Sequence, residues 1–106
     1  MNSPIHISHW NDSNGNPAGG CTFGRGFCIS WQNGPLGRGA NRRQPNGAFV
    51  EDIIKAAMDR LEFYQSSRFS CPENNRAIGY LTAALQTLAS RTADRESRKV
   101  EGIHAA

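Results

Sequence analysis

The sequence predicts an α+β fold, with a small antiparallel β-sheet followed by an antiparallel two-helix hairpin whose C-terminal helix is long. Two observations predict it. Most of the glycines and four of the five prolines fall in the first 47 residues, between short stretches that alternate apolar and polar side chains. Beyond them, apolar residues recur at helical spacing. The length of 106 residues fits one domain, 1–106, with sheet and loops over 1–47 and the helical hairpin over 48–106.

The N-terminal part is expected to hold three strands. The stretch IHISHW at 5–10 alternates apolar and polar residues, and CTFGRGFCISWQ at 21–32 predicts a hairpin that turns at Gly24-Arg25-Gly26. Residues 11–20 are rich in Asn and Gly and are predicted to be a loop. A second, basic loop is predicted over 33–47.

The first helix is predicted by apolar residues at helical spacing and is expected to end near Gln65. Glu51 and Asp52 stand in its first turn, where the helix dipole favours acidic groups. The apolar residues are Val50, Ile54, Ala57, Met58 and Leu61.

The second helix is predicted to start at a capping box formed by Ser70 and Glu73, with Pro72 in the first turn. A helix over 71–98 would be about 42 Å long. We therefore expect its far end to need a neighbour, and the chain to be a homo-oligomer. Its apolar stripe consists of Ile78, Leu81, Leu85 and Leu88.

Composition limits the function classes. The net charge is +3, and arginine supplies ten of the twelve basic residues. Arginine favours planar contacts to phosphate or carboxylate, so a small anionic ligand suits this charge. Three cysteines cannot form a fully paired disulfide framework. No apolar run approaches the length of a membrane span, so no membrane partner is expected, and we expect a cytoplasmic protein.

Catalysis and metal binding are not predicted. His6, His9, Cys21 and Cys28 are possible metal ligands, but their spacing matches no standard zinc site. The two cysteines are instead expected in the sheet core. No nucleophile motif, phosphate loop or paired carboxylates are present, so we expect neither an enzyme nor a cofactor.

A small nucleic-acid-binding protein is the alternative. Trp31 and Phe27 could present aromatic rings beside a basic loop, as in single-strand binders, although they could equally alternate into the core. The basic residues concerned are Arg25, Arg38, Arg42 and Arg43.

The C-terminal segment carries Arg91, Arg95 and Arg98 at spacings of four and three, close to one face of a helix. Such a run is usually a solvated surface. Two other groups favour a nucleotide site instead. Tyr64 can stack on a base, and Asn74 can hydrogen-bond a base or a ribose.

Several motifs resemble the phage anti-defence proteins that act as signal sponges against Thoeris immunity. The resemblance covers roughly residues 26–104, and its C-terminal motif is the most specific. The helical hairpin is similar to that of the related sponges against CBASS signalling. The matching segments are ISWQNGPLGRG (29–39), PNGAFVED (45–52), DRLEFYQ (59–65), CPEN (71–74) and RTADRESRKVEGIH (91–104).

The resemblance implies sequestration of a cyclic ADP-ribose isomer without cleavage, inside the infected bacterial host. It implies oligomers from dimer to hexamer, and some members also bind cyclic oligonucleotides at a separate site. No long nucleic acid is expected as a partner. The implied ligand-binding residues are Tyr64 for stacking, Asn74 for hydrogen bonding, Arg91 and Arg95 for the phosphates, and either Arg42 or Arg43 from the loop after the sheet.

Overall fold

The computed structural model describes residues 4–34, 36–37, 40 and 42–97, with the backbone alone for 95–97. The described chain forms two compact units, an N-terminal unit that ends at Phe49 and a helical unit, Val50–Ser97. The predicted α+β class, with the sheet before the helices, is confirmed. The elements in chain order are β1 (His6–Asn11), β2 (Pro17–Gly24), β3 (Phe27–Ser30), α1 (Val50–Gln65) and α2 (Pro72–Ser97).

The N-terminal unit contains an antiparallel sheet in the order β1-β2-β3. The β2–β3 hairpin closes on the two residues Arg25 and Gly26, and Gly26 takes φ +81°, which its missing side chain permits. The predicted turn was one residue too wide, because Gly24 pairs with Phe27 inside the ladder.

The predicted loop over 11–20 is wrong in its second half, since β2 already begins at Pro17. Gly19 and Gly20 are strand residues that permit close approach. A Cβ on Gly19 would lie 2.9 Å from the Trp10 ring, and one on Gly20 would collide with the Ser8 carbonyl. Glycine within a strand often marks such an approach rather than a turn.

The sheet is poorly covered. Cys28 is exposed and Cys21 half-buried, so the expectation that both cysteines fill the sheet core is wrong. All three cysteines of the chain are free thiols. Phe27 is 40% exposed, while Trp31 is half-buried and donates from Nε1 to Thr22 Oγ1 at 3.1 Å. Within the described residues, Leu36 is the one large apolar side chain that is buried.

Hydrogen bonds join the two ends of the basic loop over 33–47. Asn33 N donates to Asn46 Oδ1 at 2.8 Å, and Asn46 Nδ2 donates back to the Asn33 carbonyl at 3.1 Å. Ala48 then forms a parallel bridge with Trp31. Asn33 and Asn46 therefore join the two ends of the loop, and the chain returns to the sheet before α1.

The second helix begins at Pro72, and its 26 residues span about 39 Å. Its first intrahelical bond runs from Asn75 N to the Cys71 carbonyl, so Cys71 is the N-cap residue and the predicted Ser70 cap is one position early. The Gln65 side chain accepts a hydrogen bond from Cys71 N at 2.9 Å and links the end of α1 to the start of α2.

The helices form the predicted antiparallel hairpin. The Arg91 Nη2 atom lies 3.8 Å from Glu51 Oε2, which joins the last turns of α2 to the first turn of α1. Each helix contributes half-buried apolar side chains to the seam, and α1 has no fully buried residue. Neither described helix has the combination of length and apolar character that crossing a membrane requires. The seam residues include Ile54, Met58 and Leu61 of α1 and Ile78, Leu81, Leu85 and Leu88 of α2.

Candidate ligand-binding site

Tyr64 and Asn74 lie close to the connector between the helices, which we call the turn end of the hairpin. Tyr64 belongs to the last turn of α1 and Asn74 to the first turn of α2, and both are half-buried. Asn74 Nδ2 reaches the Phe69 carbonyl at 3.5 Å, and Ser67 Oγ donates to the Tyr64 carbonyl at 2.6 Å. The turn end therefore holds an aromatic ring at the end of α1 and an amide at the start of α2, on the two sides of a hydrogen-bonded connector.

A cationic and aromatic cluster surrounds the Tyr64 ring. The Arg60 guanidinium carbon lies 4.9 Å from the centroid of Tyr64 and 4.9 Å from that of Phe63. Arg60 Nε donates to the Tyr64 hydroxyl at 3.1 Å. The Phe63 and Tyr64 centroids are 6.0 Å apart with the rings tilted by 54°. Residues three and four positions apart share a helix face, so α1 itself assembles this cluster.

The arginines lie at the other end of the hairpin, which we call the open end. Arg91 has a side chain that is 55% exposed, and its partner Glu51 is 31% exposed. An ion pair this accessible to water is weak. Arg95 lies in the last turns of α2, where the structure describes backbone only, and Arg98 lies outside the described residues.

The two ends are far apart within one hairpin. Asn74 and Arg91 are separated by 17 positions of α2, a distance of about 26 Å along the helix axis. Tyr64 and Glu51, the partner of Arg91, are separated by about 20 Å along α1. The hairpin therefore places Tyr64 and Asn74 at the same end and Arg91 at the opposite end.

Arg42 and Arg43 belong to the N-terminal unit, in the basic loop that precedes α1. Both side chains are exposed, and Arg43 N donates to the carbonyl of the buried Leu36 at 2.6 Å. That one of the two contacts the ligand stays a prediction.

Among the described residues, no three His, Cys, Asp or Glu side chains gather as a metal site requires. The turn and open ends instead carry an aromatic ring that can stack, an amide and exposed guanidinium groups. These are the groups that bind the base, sugar and phosphates of a nucleotide.

Two contacts at these ends were missed by sequence reasoning. The Arg60 cluster was detectable, since Arg60, Phe63 and Tyr64 have the i, i+3, i+4 spacing of helix neighbours. The contact between Arg91 and Glu51 was not detectable, because it depends on how α1 and α2 pack.

The fold and these side chains define a class, a small α+β protein whose helical hairpin carries groups suited to a nucleotide-like anion. No family model matches the chain. It is 42% identical over 76 residues to "Thoeris anti-defense 1" of Bacillus phage SBSphiJ7, a match that covers 72% of this chain and 51% of the relative. The chain therefore belongs to the phage Thoeris anti-defence family, as its motifs indicated. It spans about half the length of this relative.

Proposed function

We propose that this protein counters Thoeris immunity by binding a cyclic ADP-ribose isomer in the infected cell and holding it away from its effector. The observation that carries the proposal is the 42% identity to a protein named for Thoeris anti-defence. The side chains support it, because a stacking ring, an amide and arginines match an adenine base, its riboses and a pyrophosphate. The proposed action is sequestration, without bond cleavage.

We further propose that each site is completed by a second copy of the chain. One small ligand cannot span the roughly 26 Å between Asn74 and Arg91 along α2. In a dimer with two-fold symmetry, two hairpins that pack antiparallel would place the turn end of each beside the open end of the other. Tyr64 and Asn74 of one copy would then face Arg91 and Arg95 of the other, and the dimer would hold two sites.

The exposure of the helices supports such a dimer. Val50 is 51% exposed and Phe63 57% exposed on α1, while Tyr80 is 70% exposed on α2. A two-helix hairpin covers only one side of each helix, so apolar side chains remain for a partner to bury. Removing this surface from water favours association.

Calorimetric titration with a cyclic ADP-ribose isomer tests the proposal. A sequestering protein has no turnover, so we expect a dissociation constant near or below about 1 nM, equivalent to about −12 kcal/mol. Heating the loaded protein should release the ligand with unchanged mass. Accumulation of cleaved ligand beyond the number of sites would contradict sequestration and indicate an enzyme.

The nucleic-acid alternative is distinguished by salt. A polymer-binding protein releases many counterions and loses affinity steeply as salt rises. A site for a single pyrophosphate should show a much shallower dependence. Steep dependence with an oligonucleotide, and no heat with the cyclic ligand, would favour the alternative.

A further inference from the structure

The Arg60 cluster has a role in binding that neither the family resemblance nor the sequence patterns assign. We infer that Arg60 is a positioning residue, which fixes the Tyr64 ring in the orientation that a stacked base requires. The inference deepens the proposed function and rests on it for the identity of the ligand. The arrangement of Arg60 and Tyr64 is a property of the protein without ligand.

Two different contacts restrain the ring. The Arg60 guanidinium lies over the ring at 4.9 Å from the centroid, and its Nε–H bonds the hydroxyl at 3.1 Å. The cation–π contact opposes rotation of the ring about the axis that runs through its hydroxyl group. The hydrogen bond fixes the position of the hydroxyl oxygen. The Phe63 centroid also lies 4.9 Å from the guanidinium carbon, so the arginine is itself restrained by a second ring.

Ordering the ring in advance favours binding. A side chain that must be immobilised when a ligand arrives reduces affinity, and a side chain already held in its bound orientation does not. Tyr64 is only half-buried, so packing alone leaves it some freedom. Because the guanidinium occupies one face of the ring, a flat base would stack on the opposite face.

The chain offers a matched control. The Arg68 guanidinium lies 5.0 Å from the centroid of Phe69 in the connector, so it makes a similar cation–π contact on a ring that is 62% exposed. Arg68→Gln removes the same charge, close to the same end of the hairpin, without touching Tyr64.

The first experiment needs no ligand. In protein labelled with ¹³C in the tyrosine rings, Arg60→Gln should shift and sharpen the Tyr64 ring signals, while those of the exposed Tyr80 stay in place. Arg68→Gln should leave both tyrosines unchanged. An unaltered Tyr64 spectrum in Arg60→Gln would overturn the inference.

The second experiment is titration with a cyclic ADP-ribose isomer. We expect Arg60→Gln to weaken binding about 3- to 10-fold, which corresponds to the cost of immobilising one side chain when the ligand binds. Arg60→Lys should not restore affinity, because an ammonium lacks the planar face and the Nε–H. Arg68→Gln should bind like the unmodified protein. Full rescue by lysine, or tighter binding of Arg60→Gln, would overturn the positioning role.

A double-mutant cycle separates this inference from the proposed function. In a Tyr64→Leu background the ring is gone, so Arg60→Gln should have no further effect on affinity. An effect as large as in the unmodified background would overturn the inference while leaving the proposed function intact. If the unmodified protein does not bind the cyclic ligand at all, the proposed function fails, and the ring spectra alone decide whether Arg60 positions Tyr64.

Discussion

The two ends of the helical hairpin carry different chemical groups. The turn end holds the Tyr64 ring and the Asn74 amide, on the two helices that flank a hydrogen-bonded connector. The open end holds Arg91, whose described partner is one accessible carboxylate at 3.8 Å. One end suits a base and a ribose, and the other suits phosphate. If both ends bind one ligand, as we propose, their separation requires a second copy of the chain.

The strongest test of this comparison is complementation between copies. We expect Tyr64→Ala and the double variant Arg91→Ala/Arg95→Ala each to bind the ligand weakly. The double variant should lose about 3–6 kcal/mol of binding free energy. A heterodimer with one copy of each retains one site in which both halves are unmodified. The heterodimer, purified through a different tag on each copy, should therefore bind with full affinity. It should bind half the normal number of ligands per dimer.

The controls are the homodimers of each variant, purified through the same two tags. If the heterodimer binds no better than these homodimers, the ring and the arginines do not meet across copies, and the proposed composite site is wrong.

The next largest effect is expected from Arg91 alone. Charge-assisted bonds to a phosphate are worth about 1.5–3 kcal/mol each, so Arg91→Ala should weaken binding by about 10- to 150-fold. The fold should be little affected. Loss of the exposed pair with Glu51 costs at most about 1 kcal/mol, and relief of the like-charge spacing to Arg95 returns about 0.2–0.5 kcal/mol.

Titration and thermal melts of the empty protein check both expectations. Arg68→Ala is the matched control for charge. Unchanged affinity in Arg91→Ala, or a large drop in its melting temperature, would make Arg91 a structural residue of the hairpin rather than a ligand contact.

At the turn end, Tyr64→Ala should weaken binding by about 1–3 kcal/mol, the value for a base stacked on an aromatic ring. Phe69→Ala, which removes an exposed ring of the connector, serves as the control. The two variants should be compared by titration with the same cyclic ligand. Equal affinities of the two variants for the ligand would show that the Tyr64 ring does not stack on it.

Sequence patterns predicted the helical unit more closely than the sheet. The end of α1 at Gln65 and the stripe from Ile78 to Leu88 follow directly from helical spacing. The start of β2 at Pro17 did not, because Gly19 and Gly20 resemble a turn in sequence. Only the packing of the Trp10 ring and the Ser8 carbonyl shows why these positions require glycine.

The candidate site was predictable in its parts and not in its arrangement. Tyr64, Asn74 and the arginines were selected by residue type, spacing and resemblance. The separation of about 26 Å between Asn74 and Arg91 already follows from the continuous helix predicted over 71–98. The contact of Arg91 with Glu51 does not follow from it, because this partner stands 40 positions earlier in the chain, beyond the range of any local pattern.

The smallest expected effect concerns that partner. In the empty protein, the Glu51 carboxylate lies near the Arg91 guanidinium that we assign to a phosphate. A phosphate of the ligand must compete with this carboxylate for Arg91. The negative charges of the phosphate and the carboxylate also repel each other. Glu51→Gln should therefore tighten binding by about 2- to 5-fold, in keeping with the modest strength of exposed ion pairs.

The same substitution should lower the stability of the empty protein slightly, by a few tenths of a kcal/mol, since it also removes an acidic group from the first turn of α1. Asp52→Asn removes a neighbouring acidic group from that turn and serves as the control for a general change in charge. Titration at two salt concentrations checks the cause, because the gain in Glu51→Gln should shrink as salt rises. Weaker binding of Glu51→Gln would mean that Glu51 holds Arg91 in place for the ligand, and the open end would then be preorganised, as we infer for the turn end.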